Sequence, residues 1–127
     1  MDVADSSRLA LAKALRELAD GSSEVALRSA LSRSYYSILH AAKTLNRKID
    51  HDTLVSELEK VEKGLGEKAG ILQKLRHRAD YTPGFVDLEY GGNVELFKQE
   101  ARRQVNEGLS VFNRIVFEIE ERSRKES

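Results

Sequence analysis

The chain has 127 residues, with 21 basic and 21 acidic side chains, one proline and no cysteine. Zero net charge gives no whole-molecule field for nucleic acid, and the lack of cysteine excludes disulfides and thiolate zinc sites. With 40% apolar and 33% charged residues, residues 1–127 suit a single domain with one core, helical rather than turn-rich.

No apolar run approaches the roughly 20 residues that span a bilayer. The opening residues carry Asp2 and Asp5 rather than a basic segment followed by an apolar one, so no signal peptide is expected. A soluble, cytoplasmic protein follows as the default.

The first helix is expected from Asp5 to Ala19, where Leu11, Ala14, Leu15 and Leu18 share a face. Gly21 offers a left-handed stop, and Ser22 or Ser23 an N-cap for the next helix. That helix runs from Ser23 to Asn46. Leu27, Leu31, Ser34, Ile38, Ala42 and Leu45 form one continuous stripe. Beside it lie Ala26, Ala30, Ser37 and Ala41, small enough for close helix packing inside the bundle or for a subunit contact.

Asp50 to Asp52 supplies another cap. Leu54, Leu58, Val61 and Leu65 begin a third helix, which Gly64 and Gly66 should break or bend. Ile71, Leu72, Leu75 and Ala79 resume it, and Pro83 ends it at Thr82. From Thr82 to Gly92, Val86, Leu88 and Tyr90 alternate with acidic residues. A lone strand has no partner, so an extended loop over the bundle is expected. Asn93 caps the last helix, which carries Phe97, Ala101, Val105, Gly108, Phe112, Ile115 and Ile119 on one face. It would reach about 45 Å if continuous to Arg122. The charged tail, residues 121–127, should fray. The fold class is therefore all-α: an up-and-down bundle of four main helices, the third in two pieces.

Chemistry-bearing residues gather in two places. Between Glu24 and Lys48 a single acidic residue stands against Arg28, Arg33, Lys43, Arg47 and Lys48, and Lys74, Arg76 and Arg78 add a second basic group. Convergence of the two would make a local phosphate site, although nearby glutamates keep the surface mixed. Asp80 follows Arg76 by four residues, the spacing of an intrahelical ion pair. Tyr35 and Tyr36 are adjacent and face different ways. One should fill the core and the other meet the loop or the Arg76–Tyr81 region. No metal site is expected: His51, between two aspartates, reads as a solvated helix cap, and His40 as a packing histidine. A phosphate-cradling glycine loop, di-iron Glu-x-x-His pairs and a Ser-His-Asp set are not identifiable, and no cofactor is implied.

The segment Ser29-Ala30-Leu31-Ser32-Arg33-Ser34-Tyr35-Tyr36-Ser37-Ile38-Leu39-His40-Ala41-Ala42-Lys43, taken with Leu75-Arg76-His77-Arg78-Ala79-Asp80-Tyr81, resembles the HEPN superfamily of small helical bundles. That resemblance implies a homodimer and one of two functions. The first is a binding module for a nucleotide, RNA or a protein partner such as a nucleotidyltransferase or an antitoxin. The second is a metal-independent ribonuclease, the toxin of a toxin–antitoxin system. Active members carry an arginine and a histidine with four to six residues between them, between the third and last major helices. Arg76 matches the arginine, but the aligned position here is Tyr81. Histidine titrates near about 6.5 and tyrosine near about 10, so Tyr81 is a poor proton acceptor, and the binding module is favoured. The resemblance marks Arg76 and Tyr81 as the degenerate catalytic pair. Arg33, Tyr36, Arg76, Arg78, Asp80 and Tyr81 are the ligand-binding candidates.

Overall fold

The computed structural model describes residues 3–20 and 23–126, with side chains for 8–16 and 23–126. Among them there are six helices: α1 (Val3–Asp20), α2 (Glu24–Leu45), α3 (Leu54–Val61), α4 (Leu65–Tyr81), α5 (Phe85–Tyr90) and α6 (Val94–Glu126). No strand occurs among the described residues. Helix α2 is the hub. It packs against α1, α4 and α6, and α4 also packs against α6. Buried side chains from all six helices join in one cluster, in which Leu27, Leu31, Ile38, Leu72, Phe97 and Phe112 are among the largest. None of the described helices is long and apolar enough to cross a membrane.

The expected stops and caps mostly occur where local chemistry put them. The Ser23 side chain accepts a hydrogen bond from the Ala26 amide at 3.2 Å and starts α2. The Asn93 side chain accepts from the Leu96 amide at 3.2 Å and starts α6. The Asp50 carboxylate gathers the amides of Asp52 and Thr53, both at 3.0 Å, just before α3. The expected stop at Gly21 and the alternative cap at Ser22 lie outside the described residues. Ala30, Ser37 and Ala41 are buried within the protein, so this small-residue stripe is used in internal packing.

The two glycines of the third segment have different jobs. Gly64 sits at φ +90°, a left-handed turn that suits glycine, and it separates α3 from α4. Gly66 breaks nothing. It lies in the first turn of α4, where a Cβ would fall 2.1 Å from the Val55 carbonyl oxygen. Its missing side chain lets α4 press against α3. The Glu59 carboxylate of α3 also accepts from the amides of Gly64 at 3.0 Å and Glu67 at 2.9 Å. Bonds to these amides, Gly64 first, hold its pKa below the ordinary value.

One expectation about the connections is corrected. The segment from Thr82 to Gly92 is not an extended loop: it contains α5. Phe85 and Val86 are buried and Tyr90 is partly so, a helical face, whereas Leu88, which had suggested alternation, is 73% exposed. Gly84 and Gly91, at φ +67° and +60°, turn the chain into and out of this short helix. Helix α6 continues to Glu126 and takes in most of the charged tail. Arg122 pairs with Glu118 at 3.3 Å and Arg124 with Glu121, both at helical spacing. Arg124 and Lys125 also oppose the negative end of the helix. At 33 residues, α6 is about 50 Å long.

Candidate functional site between α2 and α4

Arg76 projects from α4 toward α2, and its side chain is only 11% exposed. Its Nη2 donates to the Tyr36 hydroxyl at 3.0 Å. Its guanidinium carbon lies 5.0 Å from the centre of the Tyr36 ring and 5.4 Å from that of Tyr35. Both distances are within the range of cation–π attraction. The nearest anion is Asp80, one turn along α4, whose Oδ2 is 3.6 Å from Arg76 Nε. That is an ion pair but too long for a hydrogen bond, and Nε is buried with no hydrogen-bond acceptor. Ser32 of α2 donates to Asp80 at 3.3 Å and links the two helices a second time.

The tyrosine pair divides as its adjacency implies. Tyr35 is fully buried, while Tyr36 is partly buried with its hydroxyl on Arg76. The Tyr36 oxygen accepts from Arg76 and keeps its own proton for a second bond.

Tyr35 carries a contact that sequence reasoning missed. Its hydroxyl lies 2.6 Å from Nδ1 of His51, and the two rings stack at 5.5 Å and 19°. His51 is therefore not a simple solvated cap, since Asp50 does the capping beside it. The return turn explains how it gets there. The Ile49 amide bonds the Asn46 carbonyl at 3.0 Å, Ile49 is buried, and the chain folds back over α2. Nothing at positions 35 and 51 taken singly signals this pairing.

Burial pushes the Tyr35 hydroxyl up to about 12 from its ordinary 10.0. The fold thus requires the protonated form, and the unfolded chain gives up its proton first. This contribution is whole below about pH 10 and is lost as pH rises toward about pH 12, at up to about 1.4 kcal/mol per pH unit. Tyr35→Phe is expected to flatten this alkaline loss, while costing about 1 kcal/mol at neutral pH through the lost hydrogen bond. Urea midpoints measured at about pH 8 and about pH 11 check both. An unchanged alkaline slope in the variant would refute the assignment.

The other sequence candidates are spread more widely. Tyr81 is 66% exposed, and its ring rests on His77 at 4.7 Å. Arg78 pairs with Glu89 of α5 at 3.7 Å. On a helix it points about 200° away from Arg76. Arg33 Nε donates to Ser29 Oγ one turn earlier on α2. Arg28 pairs with Glu24. Arg28 and Arg78 are thus each engaged with a carboxylate away from Arg76. His40 is exposed rather than packed, 6.4 Å from the Tyr36 ring, because the buried positions 38, 39, 41 and 42 turn it outward. A concavity of about 350 Å³ lies between α4 and α6, lined in part by Lys68, Arg103 and Glu107. Its cations are engaged, Lys68 with Glu107 at 3.7 Å and Arg103 with Glu100 at 2.7 Å. Among the described residues, no group of three His, Cys, Asp or Glu could hold a metal ion.

The arrangement around Arg76 can hold an anion by a guanidinium and a tyrosine hydroxyl, with flat aromatic surface beside them. Compared with protein-family models, curated proteins and solved structures, the chain finds no match.

Proposed function

We propose that this protein is a HEPN-like binding module that takes a phosphate-bearing ligand of the nucleotide or RNA class at Arg76 and does not cleave it. The observation that carries this reading is the state of Arg76: a largely buried guanidinium whose Nε has no acceptor among the described residues and whose ion-pair partner there, Asp80, is 3.6 Å away. A charge this far from water calls for compensation, and the pairing with Asp80 is too long to be a hydrogen bond, so a phosphate oxygen would be a stronger partner. Tyr36 orients the guanidinium and has a proton to offer the same ligand.

Support for binding over cleavage comes from Tyr81. It stands where the motif calls for histidine, has a weakly basic hydroxyl, and lays its ring on His77. The resemblance also brings a homodimer and a nucleotidyltransferase or antitoxin as the class of protein partner. With Ala30, Ser37 and Ala41 buried internally, the last helix, where Leu96 and Phe117 are exposed, is the proposed dimer face.

Titration calorimetry with ATP and with a short single-stranded RNA tests the reading. Binding of either is expected, and Arg76→Gln should weaken it at least about tenfold, since hydrogen bonds to charged groups contribute about 1.5–3 kcal/mol. Failure of the native protein to bind both would remove the proposal. RNA cleavage by the native protein, lost in Arg76→Gln, would replace it with the ribonuclease.

A further inference from the structure

We infer that His51 is the second ligand-facing group of the Arg76 site, offering its Nε2–H to a phosphate oxygen. The inference rests on the reading of that site as a phosphate-binding one. It starts from a shared scaffold. Arg76 lies within 5.4 Å and 5.0 Å of the Tyr35 and Tyr36 rings. The His51 ring centre lies 5.5 Å and 5.9 Å from the same two rings. One residue from α4 and one from the turn before α3 are thus gathered around one aromatic pair on α2.

The Tyr35–His51 bond decides what the imidazole can do. A neutral imidazole has one donor nitrogen and one acceptor. Tyr35 is fully buried, and its hydroxyl has a proton to donate. The hydroxyl makes no other hydrogen bond among the described residues, so its proton goes to His51 Nδ1, 2.6 Å away. With Nδ1 accepting, the ring proton resides on Nε2. The two nitrogens diverge around the ring, so Nε2–H faces away from Tyr35. His51 itself is exposed. The tyrosine thereby fixes the tautomer and orientation of a surface donor, as a supporting carboxylate or carbonyl does for a metal-bound histidine. Together with the Arg76 guanidinium and the Tyr36 hydroxyl, this makes three donors around one aromatic patch. They form a cradle for a phosphate group, and the stacked rings offer a surface for a base.

Nitrogen-15 correlation spectra of the imidazoles, recorded at alkaline pH where the rings are neutral, test the tautomer without any ligand. His51 is expected as the Nε2–H form, and Tyr35→Phe should convert it to a mixture. An Nδ1–H ring in the native protein would overturn the inference. ATP titration tests the contact. The His51 nitrogen resonances should move, and His51→Ala, with its helical circular dichroism unchanged, should weaken ATP binding by about five- to tenfold. If Arg76→Gln abolishes ATP binding but His51→Ala leaves it intact and the His51 signals stay put, this inference falls and the binding function stands. If the native protein binds neither ATP nor RNA, the binding function falls and takes this inference with it.

Discussion

Gly66→Ala should destabilise the protein by about 3 kcal/mol or more, the upper end of what overpacking costs. The added methyl would lie 2.1 Å from the Val55 carbonyl oxygen and 2.8 Å from Glu59 Cγ. The first of these is backbone in the first turn of α3 and cannot swing aside as a flexible side chain would. Relief requires α3 and α4 to part, which pulls the Glu59 carboxylate off the amides of Gly64 and Glu67. Helix propensity alone would favour alanine here by up to about 1 kcal/mol, so the sign of the effect separates the two accounts. A denaturant midpoint at or above that of the native protein would show that the corner yields. Gly70 is a useful control. A Cβ there meets only Val55 Cγ2, at 3.4 Å, and Gly70→Ala should be close to neutral or stabilising.

Phe97→Ala is expected to cost about 3–5 kcal/mol. Phe97 is fully buried at the start of α6, and its ring meets Phe85 edge-on at 5.3 Å and Tyr90 at 5.5 Å. Phe85 and Tyr90 in turn lie 5.6 Å apart. These three rings hold α5 to α6. Losing the Phe97 ring opens a cavity and removes two aromatic contacts worth about 0.5–1.5 kcal/mol per pair. The Tyr90 hydroxyl, whose pKa burial now raises, should titrate closer to its ordinary value in the variant. Thermal unfolding and an ultraviolet titration of the tyrosines would check the two parts separately. A stability loss below about 1 kcal/mol would mean that α5 is not held by this cluster.

The helices that bury long regular stripes were legible in the sequence. Leu27, Leu31, Ile38 and Ala42 on α2, and Phe97, Ala101, Val105 and Phe112 on α6, repeat at helical spacing and are all buried. The short helix α5 was not, because six residues are too few for helical and alternating patterns to differ reliably. Val86 and Tyr90 fit both patterns while Leu88 fits only the alternating one, and packing against Phe97 decides between them. Gly66 was read by propensity as a helix breaker, yet tertiary contact with Val55 set its role. At the site, the Arg76–Asp80 pair and the division of labour between Tyr35 and Tyr36 followed from local spacing. The Tyr35–His51 bond did not, since it depends on how tightly the turn after Asn46 folds back. Arg78 was grouped with Arg76 by charge, but helical geometry sends it to Glu89.

The Glu59 bridge has a consequence for how the chain assembles. Both of its amide partners, and the Gly66–Val55 approach, connect residues no more than about a dozen positions apart in the chain. Closing so short a loop takes on the order of 10–100 ns and costs little chain entropy compared with joining α2 to α6. The α3–α4 corner is therefore suited to form early and to present Leu58 and Leu72 together as a preformed apolar surface. The long-range pairing of α2 with α6 would then condense onto that surface as the slow step.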